Sequence, residues 1–256
     1  MREVFVIGIG AGDPDHLTVQ AIKAMNLVDV FFVLDKGAAK DELVQLRRQI
    51  CAEHIVGDDY RFVEAPDPAR DRTPDDYRGA VLDWHELRAS LYGQMIRDEL
   101  GEDGCGAFLV WGDPSLYDST LRILDMVATS GAVAFECTVV PGITSVQALA
   151  AGHAMVLNRI GEPIHITTGR RLRAGLPDGV ENAVVMLDAE CSFESVAEGD
   201  AGDAWDIYWG AYLGTADETL IAGPVREVQG EIERVRGEMR ERKGWIMDTY
   251  LLRRER

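Results

Sequence analysis

Cysteine is scarce and badly spaced for bridging: Cys51, Cys105, Cys137 and Cys191 are spread through 256 residues without a C-x-x-C pair. That spacing excludes a disulfide scaffold or a zinc ribbon and predicts reduced, mostly buried thiols. The five histidines (16, 54, 85, 153, 165) contain no H-E-x-x-H or comparable ligand spacing, so no metal site is expected, and His85 and His165 read as structural. No apolar run approaches the roughly 20 residues of a membrane span. The opening Met1-Arg2-Glu3-Val4 lacks the apolar segment of a secretory signal. A soluble, cytoplasmic chain without a membrane partner is expected. Basic charge is short as well, with 26 Lys+Arg against 44 Asp+Glu and a formal charge of −18. Nucleic acid, which is bound through basic surface, is therefore not an expected partner.

What is present is a chain long enough for two modest domains, 46% hydrophobic. Its first half alternates short apolar runs with helical patterns, the signature of a parallel sheet with crossover helices. Strands are predicted near 3–8, 28–36, 61–64, 106–110 and 131–140. Helices are predicted from Thr18, over 39–51 and over 77–100. The last of these carries the apolar stripe Tyr77, Val81, Trp84, Leu87, Leu91 and Met95. After Gly142 the apolar runs at 164–167, 183–187, 207–213 and 245–252 lie among glycine-rich turns. A late helix opens at Pro224, read as its first residue, with the stripe Val225, Val228, Ile232, Val235 and Met239. The fold class is α/β in two domains. Residues 1–140 form a parallel α/β sheet, and residues 141–256 a mixed, partly antiparallel one.

The chemistry concentrates in three turns. "VFVIGIGAGDP" (4–14) looks like a dinucleotide loop, but Asp13 stands where the third glycine belongs and would repel a pyrophosphate. The absence of ordinarily spaced acid after the second strand, Asp35 coming nearest, also weighs against a nicotinamide enzyme. "WGDPSLY" (111–117) repeats the Gly-Asp-Pro turn, and "VVPGITSVQALAA" (139–151) adds a Pro-Gly turn with a helix start at Thr144 and Ser145. Both Gly-Asp-Pro turns should lie on the carboxyl edge of one sheet, where open α/β sheets bind ligands. Glycine would let a ligand approach the backbone, and aspartate would accept from cationic or hydroxyl groups. Taken singly, each turn is equally good turn chemistry, and Thr144 a plain helix cap.

Together the turns resemble the tetrapyrrole methylase family. "GIGAGDPDHLT" is similar to its opening G-x-G-P-G-D-x-x-L-T, "GDPSLY" to its second loop and "VPGITS" to its P-G-x-(S/T)-(S/A) turn. "AVVMLDA" (183–189) and "YLGTADET" (212–219) are similar to two later segments. Ala11 replaces the family's proline, which puts the first turn's rigidity in question. The resemblance implies a methyltransferase using S-adenosyl-L-methionine bound between the two domains, with S-adenosylhomocysteine as product. Its contacts would be Gly112, Asp113, Leu116, Thr144, Ser145, Leu187, Leu213 and Ala222. It implies a small-molecule tetrapyrrole substrate and a homodimer.

The stretches "FFVLDKG", "ARDRTPDDY" and "AVLDWHELRA" are most similar to corrin-pathway members that methylate precorrin-5 at C-1 and release acetate. Other acceptors open to the same fold are another precorrin position, siroheme precursors, diphthine or ribosomal-RNA ribose; a non-catalytic binder is also open. Acetate release calls for a carboxylate base or polarising hydroxyl, and Asp13 and Tyr117 rank ahead of Asp15 and Asp35. An anionic substrate needs local cations: Lys36, Arg70, Arg72 and Arg88 in the first domain, and Arg170, Arg171 and Arg173 in what reads as a loop of the second. Arg88 on its helix would ordinarily be a solvated face.

Overall fold

The structure, a computed structural model, describes residues 1–35, 41–69, 77–197 and 205–254. Lys36, Arg70 and Arg72 lie outside the described residues. The chain divides into two compact units, Met1–Gly10 with Pro14–Ile143, and Ala11–Asp13 with Thr144–Arg256.

The first unit runs β1 (Arg2–Gly8), α1 (Val19–Met25), β2 (Val30–Asp35), α2 (Asp41–His54), β3 (Arg61–Pro66), α3 (Tyr77–Glu99), β4 (Cys105–Val110), α4 (Thr120–Ser130) and β5 (Phe135–Val140). The strands form a wholly parallel sheet, ordered β3-β2-β4-β1-β5. Both faces are covered, so the central strands carry continuous apolar runs, Val4–Ile7 in β1 and Ala107–Val110 in β4, rather than alternating. Val4, Val6, Val30, Phe32, Phe108 and Val110 pack with Tyr92, Met95 and Ile96 of α3 and Ile123, Leu124 and Val127 of α4. Phe5, Ile7, Phe31, Ala107 and Leu109 pack oppositely with Ala21, Ala24 and Met25 of α1 and Ile50 and Cys51 of α2. Each of the valine, leucine, isoleucine, methionine and phenylalanine side chains contributes about 1.5–3 kcal/mol by leaving water. At the start of α1, Thr18 Oγ1 accepts from the Ala21 amide at 3.0 Å, the expected cap.

Two features of this unit depart from the sequence pattern. Helix α4 was not predicted, although Ile123, Leu124 and Val127 give it a buried stripe. In α3 the buried face is also rotated from the apolar stripe. Leu87 is exposed, while His85 and Arg88 are buried. Arg88 is no solvated residue. Its Nε and Nη2 donate to the two Asp67 oxygens at 2.7 and 2.5 Å, and its guanidinium lies over the Trp84 ring at 3.9 Å. Neutralisation by Asp67 is what permits the burial.

The second unit runs α5 (Ser145–Gly152), β6 (His165–Thr168), α6 (Gly169–Leu172), β7 (Asn182–Met186), α7 (Glu194–Ala197), β8 (Trp205–Ala211), β9 (Thr219–Pro224), α8 (Val225–Lys243) and β10 (Asp248–Arg254). Its sheet is ordered β6-β7-β10-β8-β9. β6 is parallel to β7 and the other pairs are antiparallel, so the sheet is mixed as expected. The core gathers Trp209, Tyr212, Phe193, Tyr250, Val185 and Ile207 under Val225, Ile232 and Met239 of α8. Strand β9 escaped the apolar-run criterion because it is an edge strand and only half covered. Pro224 ends β9 and caps α8 from outside, one position before the predicted helical role.

The four cysteines are free thiols. Cys51 is buried, Cys105 and Cys191 are half-buried and Cys137 is exposed, so they are less buried than expected. Burial pushes the Cys51 and Cys105 thiols up to about 12. Among the described residues no helix is long and apolar enough to cross a membrane.

Candidate functional site

The three turns singled out in the sequence sit at the carboxyl ends of β1, β4 and β5, neighbours in the first sheet. They are bound to one another by main-chain atoms. The Ile9 amide donates to Val110 O at 2.9 Å and the Gly112 amide to Gly10 O at 2.8 Å. A β-carbon on Gly8 would lie 2.6 Å from the Gly142 nitrogen and 2.7 Å from the Gly112 oxygen, and one on Gly142 would fall on that same oxygen. These glycines are therefore required by the mutual packing of strand ends. Gly112 has φ +69°, so a side chain there would strain the turn itself.

Asp113 completes the junction. Its Oδ2 accepts from the Gly142 amide at 2.8 Å, and its Oδ1 from the Ser115 amide at 2.8 Å and the Ser115 hydroxyl. Burial works against its charge, but the Ser115 and Gly142 hydrogen bonds outweigh it and hold the carboxyl below the usual range. Both oxygens are thus engaged inside the first unit, which makes Asp113 a clamp between two turns rather than an open acceptor. Leu116 is half-buried in the same loop. Tyr117 is exposed and has φ +55°, an unusual conformation for a bulky residue. Burial raises its phenol above the ordinary value, so the hydroxyl is a neutral donor at pH 7. The sequence reading passed over Trp111, whose indole N–H is buried without a hydrogen-bond partner among the described residues.

In the second unit, Thr144 is the cap of α5. Its Oγ1 accepts from the Val146 amide at 3.1 Å, and Gln147 Oε1 accepts from the Thr144 amide at 3.0 Å, a capping box. Ser145 Oγ accepts from Thr249 Oγ1 at 3.0 Å. Leu213 is buried and Ala222 exposed on β9. Asp13 is half-buried, within the segment Ala11–Asp13 that groups with this unit. Its neighbour Gly12 abuts the 213–215 turn, since a β-carbon there would lie 2.6 Å from Thr215 Cγ2 and 2.7 Å from Leu213 O.

Leu187 is the most exceptional of the proposed contacts. It follows β7 with φ +53° and is 65% exposed. A leucine in the left-handed region costs about 1–2 kcal/mol, and here burial of its side chain compensates little. What holds it is the next residue. The Asp188 carboxylate accepts from Ser192 N at 2.6 Å, Ser192 Oγ at 2.7 Å, Glu190 N at 3.1 Å and Tyr250 Oη at 2.7 Å. The Asp188 carbonyl accepts from Arg236 Nη2 at 2.6 Å, and Arg236 Nε donates to Asp248 Oδ2 at 2.9 Å, which also accepts from Trp209 Nε1 at 3.0 Å. Burial opposes the Arg236 charge, and Asp248 and Asp188 more than restore it. Strain concentrated at an anchored, exposed residue is a mark of functional sites.

Of the proposed cations, Arg88 is committed to Asp67. The stretch read as a loop holds the short helix α6. Gly169 and Leu172 are buried, with Gly169 packed on the Asp188 carboxylate, so Arg170 and Arg171 face outward and are exposed. Arg173 pairs with Glu190.

The model of the Tetrapyrrole (Corrin/Porphyrin) Methylases family matches residues 3–229. A Sinorhizobium sp. protein, precorrin-6A synthase [deacetylating], is 51% identical over 254 residues, covering 99% of this chain and 96% of that protein. The crystal structure of a cobalamin synthesis related protein (CobF) from Corynebacterium diphtheriae is 41% identical at a TM-score of 0.85, covering 99% and 98% of the two chains. A cobalt precorrin-4 methyltransferase, CbiF, at 17% identity and a TM-score of 0.64 over 98% and 94%, shares the fold. A parallel sheet with three interlocked glycine turns, a mixed second sheet and a family match over most of the sequence lead to one conclusion: the chain belongs to the tetrapyrrole (corrin/porphyrin) methylase family.

Proposed function

We propose that the chain is an S-adenosyl-L-methionine-dependent methyltransferase of cobalamin biosynthesis that methylates precorrin-5 at C-1 and releases acetate to give precorrin-6A. The observation that carries the reading is the 51% identity, end to end, with the Sinorhizobium precorrin-6A synthase [deacetylating]. Bound cofactor would supply an electrophilic methyl group on a sulfonium. The residues that suit its recognition are main-chain and small-residue surfaces, Gly112, Leu116, Leu213 and Ala222, with the exposed apolar side chain of Leu187. Thr144, Ser145 and Asp113 act on the same reading by holding the turns. Few titrating groups are needed, because fixing reactants in line can itself contribute about 7–11 kcal/mol in favourable models.

For acetate release, water must add to the extruded acetyl carbonyl. The neutral Tyr117 hydroxyl suits polarisation of that carbonyl and Asp13 the role of base. Arg170 and Arg171 are the outward cations of the second unit suited to carboxylate arms, and the protein acts as a cytoplasmic homodimer. Calorimetry tests the cofactor assignment: S-adenosylhomocysteine should bind with micromolar affinity and NAD should not. Incubation with methyl-labelled cofactor and a panel of methylated precorrins tests the acceptor. Labelling of another precorrin, or none, with no acetate from precorrin-5 would overturn the reading.

A further inference from the structure

We infer that Arg47, in the middle of α2, receives a carboxylate of the substrate; this rests on the tetrapyrrole reading above. Nothing in the sequence pattern marks this residue. In the structure its Nε donates to Leu109 O at 3.0 Å and its Nη1 to Leu43 O at 2.8 Å. Those two bonds fix the plane of the guanidinium and use two of its five N–H groups. The other three, including both on Nη2, have no acceptor among the described residues, and no described carboxylate lies at ion-pair distance. Burial lowers its pKa from the ordinary arginine value, while Asp118 and Tyr92 pull the other way from longer range.

Arg47 is half-buried, and the protein's fully buried guanidiniums are treated differently. Arg88 is bidentate to Asp67, and Arg236 is paired with Asp248. A partly desolvated cation with no counter-ion among the described residues is costly, and two backbone carbonyls do not neutralise it. Its position is also telling. Leu109 is the penultimate residue of β4, the strand that leads directly into the Trp111-Gly112-Asp113-Pro114 turn. Trp111 presents a second donor, buried and without an acceptor among the described residues. A planar carboxylate matches the remaining fork of an arginine in shape and charge. Tetrapyrroles of this pathway carry acetate and propionate arms, and a chain of charge −18 needs a local cation to hold them. Arg47 supplies one in the first unit.

The test uses the full-length protein and uroporphyrin, an octacarboxylate whose Soret band reports binding. Wild type should bind uroporphyrin and, separately, S-adenosylhomocysteine. Arg47→Gln should weaken uroporphyrin by about tenfold or more while leaving S-adenosylhomocysteine unchanged, and Arg47→Lys, which restores charge without the fork, should recover part of the loss. A brace between α2 and β4 would instead lower the melting temperature of Arg47→Gln and leave uroporphyrin affinity as in wild type, which would overturn the inference and spare the tetrapyrrole reading. Wild type that binds S-adenosylhomocysteine but no uroporphyrin would remove both. If Arg47→Gln fails to fold, phenylglyoxal modification of wild type decides. Uroporphyrin should protect Arg47 in peptide mapping, and undiminished modification would overturn the assignment.

Discussion

At the carboxyl edge of the first sheet, loops are held by the backbone: Gly8, Gly112 and Gly142 interlock, and one aspartate, Asp113, ties two turns together. In the second unit the loop after β7 is held by side chains, through a buried network of Asp188, Tyr250, Ser192, Arg236, Asp248 and Trp209. The difference lies in what each loop must do. Main-chain packing makes a close, nearly featureless edge that tolerates no β-carbon. A charged network can hold one residue, Leu187, in a conformation that its own side chain disfavours. The first device fails by steric collision, the second by orphaned polar groups, and the two failures differ in size.

The largest expected effect is in the second unit. Asp188→Ala removes the acceptor for the Tyr250 hydroxyl and for the Ser192 amide and hydroxyl, all of them buried. Orphaned buried donors cost about 1–3 kcal/mol each, and the sum should be about 3 kcal/mol or more. Urea unfolding followed by near-ultraviolet dichroism checks it. A loss below about 1 kcal/mol would mean that the network is dispensable. In the first unit Gly142→Ala should cost about 1–3 kcal/mol, because its new methyl meets the Gly112 carbonyl and forces a backbone shift. Gly101→Ala is the matched control: a β-carbon there meets nothing within 4 Å, and stability should barely change. Equal effects at the two glycines would break the comparison.

These devices were unequally legible. The first sheet could be read from apolar runs such as Val4–Ile7 and Phe31–Val33, since a parallel strand buried on both faces announces itself locally. The three turns were legible as a set, because their spacing along the chain reproduces a family pattern. Their physical reason was not, since Gly8, Gly112 and Gly142 meet only after the strands pair in the order β4-β1-β5. Arg236 and Asp188 lie 48 positions apart, and no pattern along a helix reveals that they share a core. Arg88 misled for the opposite reason. Its helical setting predicts solvent, and the partner that buries it, Asp67, sits 21 residues earlier, just past the end of β3. Arg47 gave no signal, because the want of a counter-ion among the described residues is a property of the folded surroundings alone.

A smaller effect separates the clamp from the collision. Asp113 has its carboxyl held below the ordinary range, so it binds its proton less readily folded than unfolded. Its contribution is therefore complete above the unfolded value of about 4 and is lost as pH falls through the lower folded value. Asp113 is partly exposed, which keeps the effect modest. Thermal midpoints from pH 6 downward should fall more steeply below about pH 4 in wild type than in Asp113→Asn. Superimposable profiles would show that Gly142 and Ser115 do not depend on the charge.

The smallest expected change in stability carries the sharpest test of why the second unit spends a charged network on one loop. Leu187 combines φ +53° with 65% exposure, so its side chain returns little hydrophobic free energy for the strain. Asparagine tolerates the left-handed region far better than leucine does. Leu187→Asn should therefore stabilise the protein, by about 0.5–1 kcal/mol once the lost partial burial is subtracted. Were Leu187 simply a poor residue at a turn, that would be the whole effect. If instead its apolar side chain is displayed for S-adenosylhomocysteine, the same variant should bind that ligand more weakly. Denaturant unfolding and calorimetry on one preparation read both quantities. Higher stability with weaker binding sharpens the contrast between a loop held for packing and a loop held for a ligand. Lower stability would mean that Leu187 is not strained, and unchanged binding would return the network around Asp188 to the role of core structure.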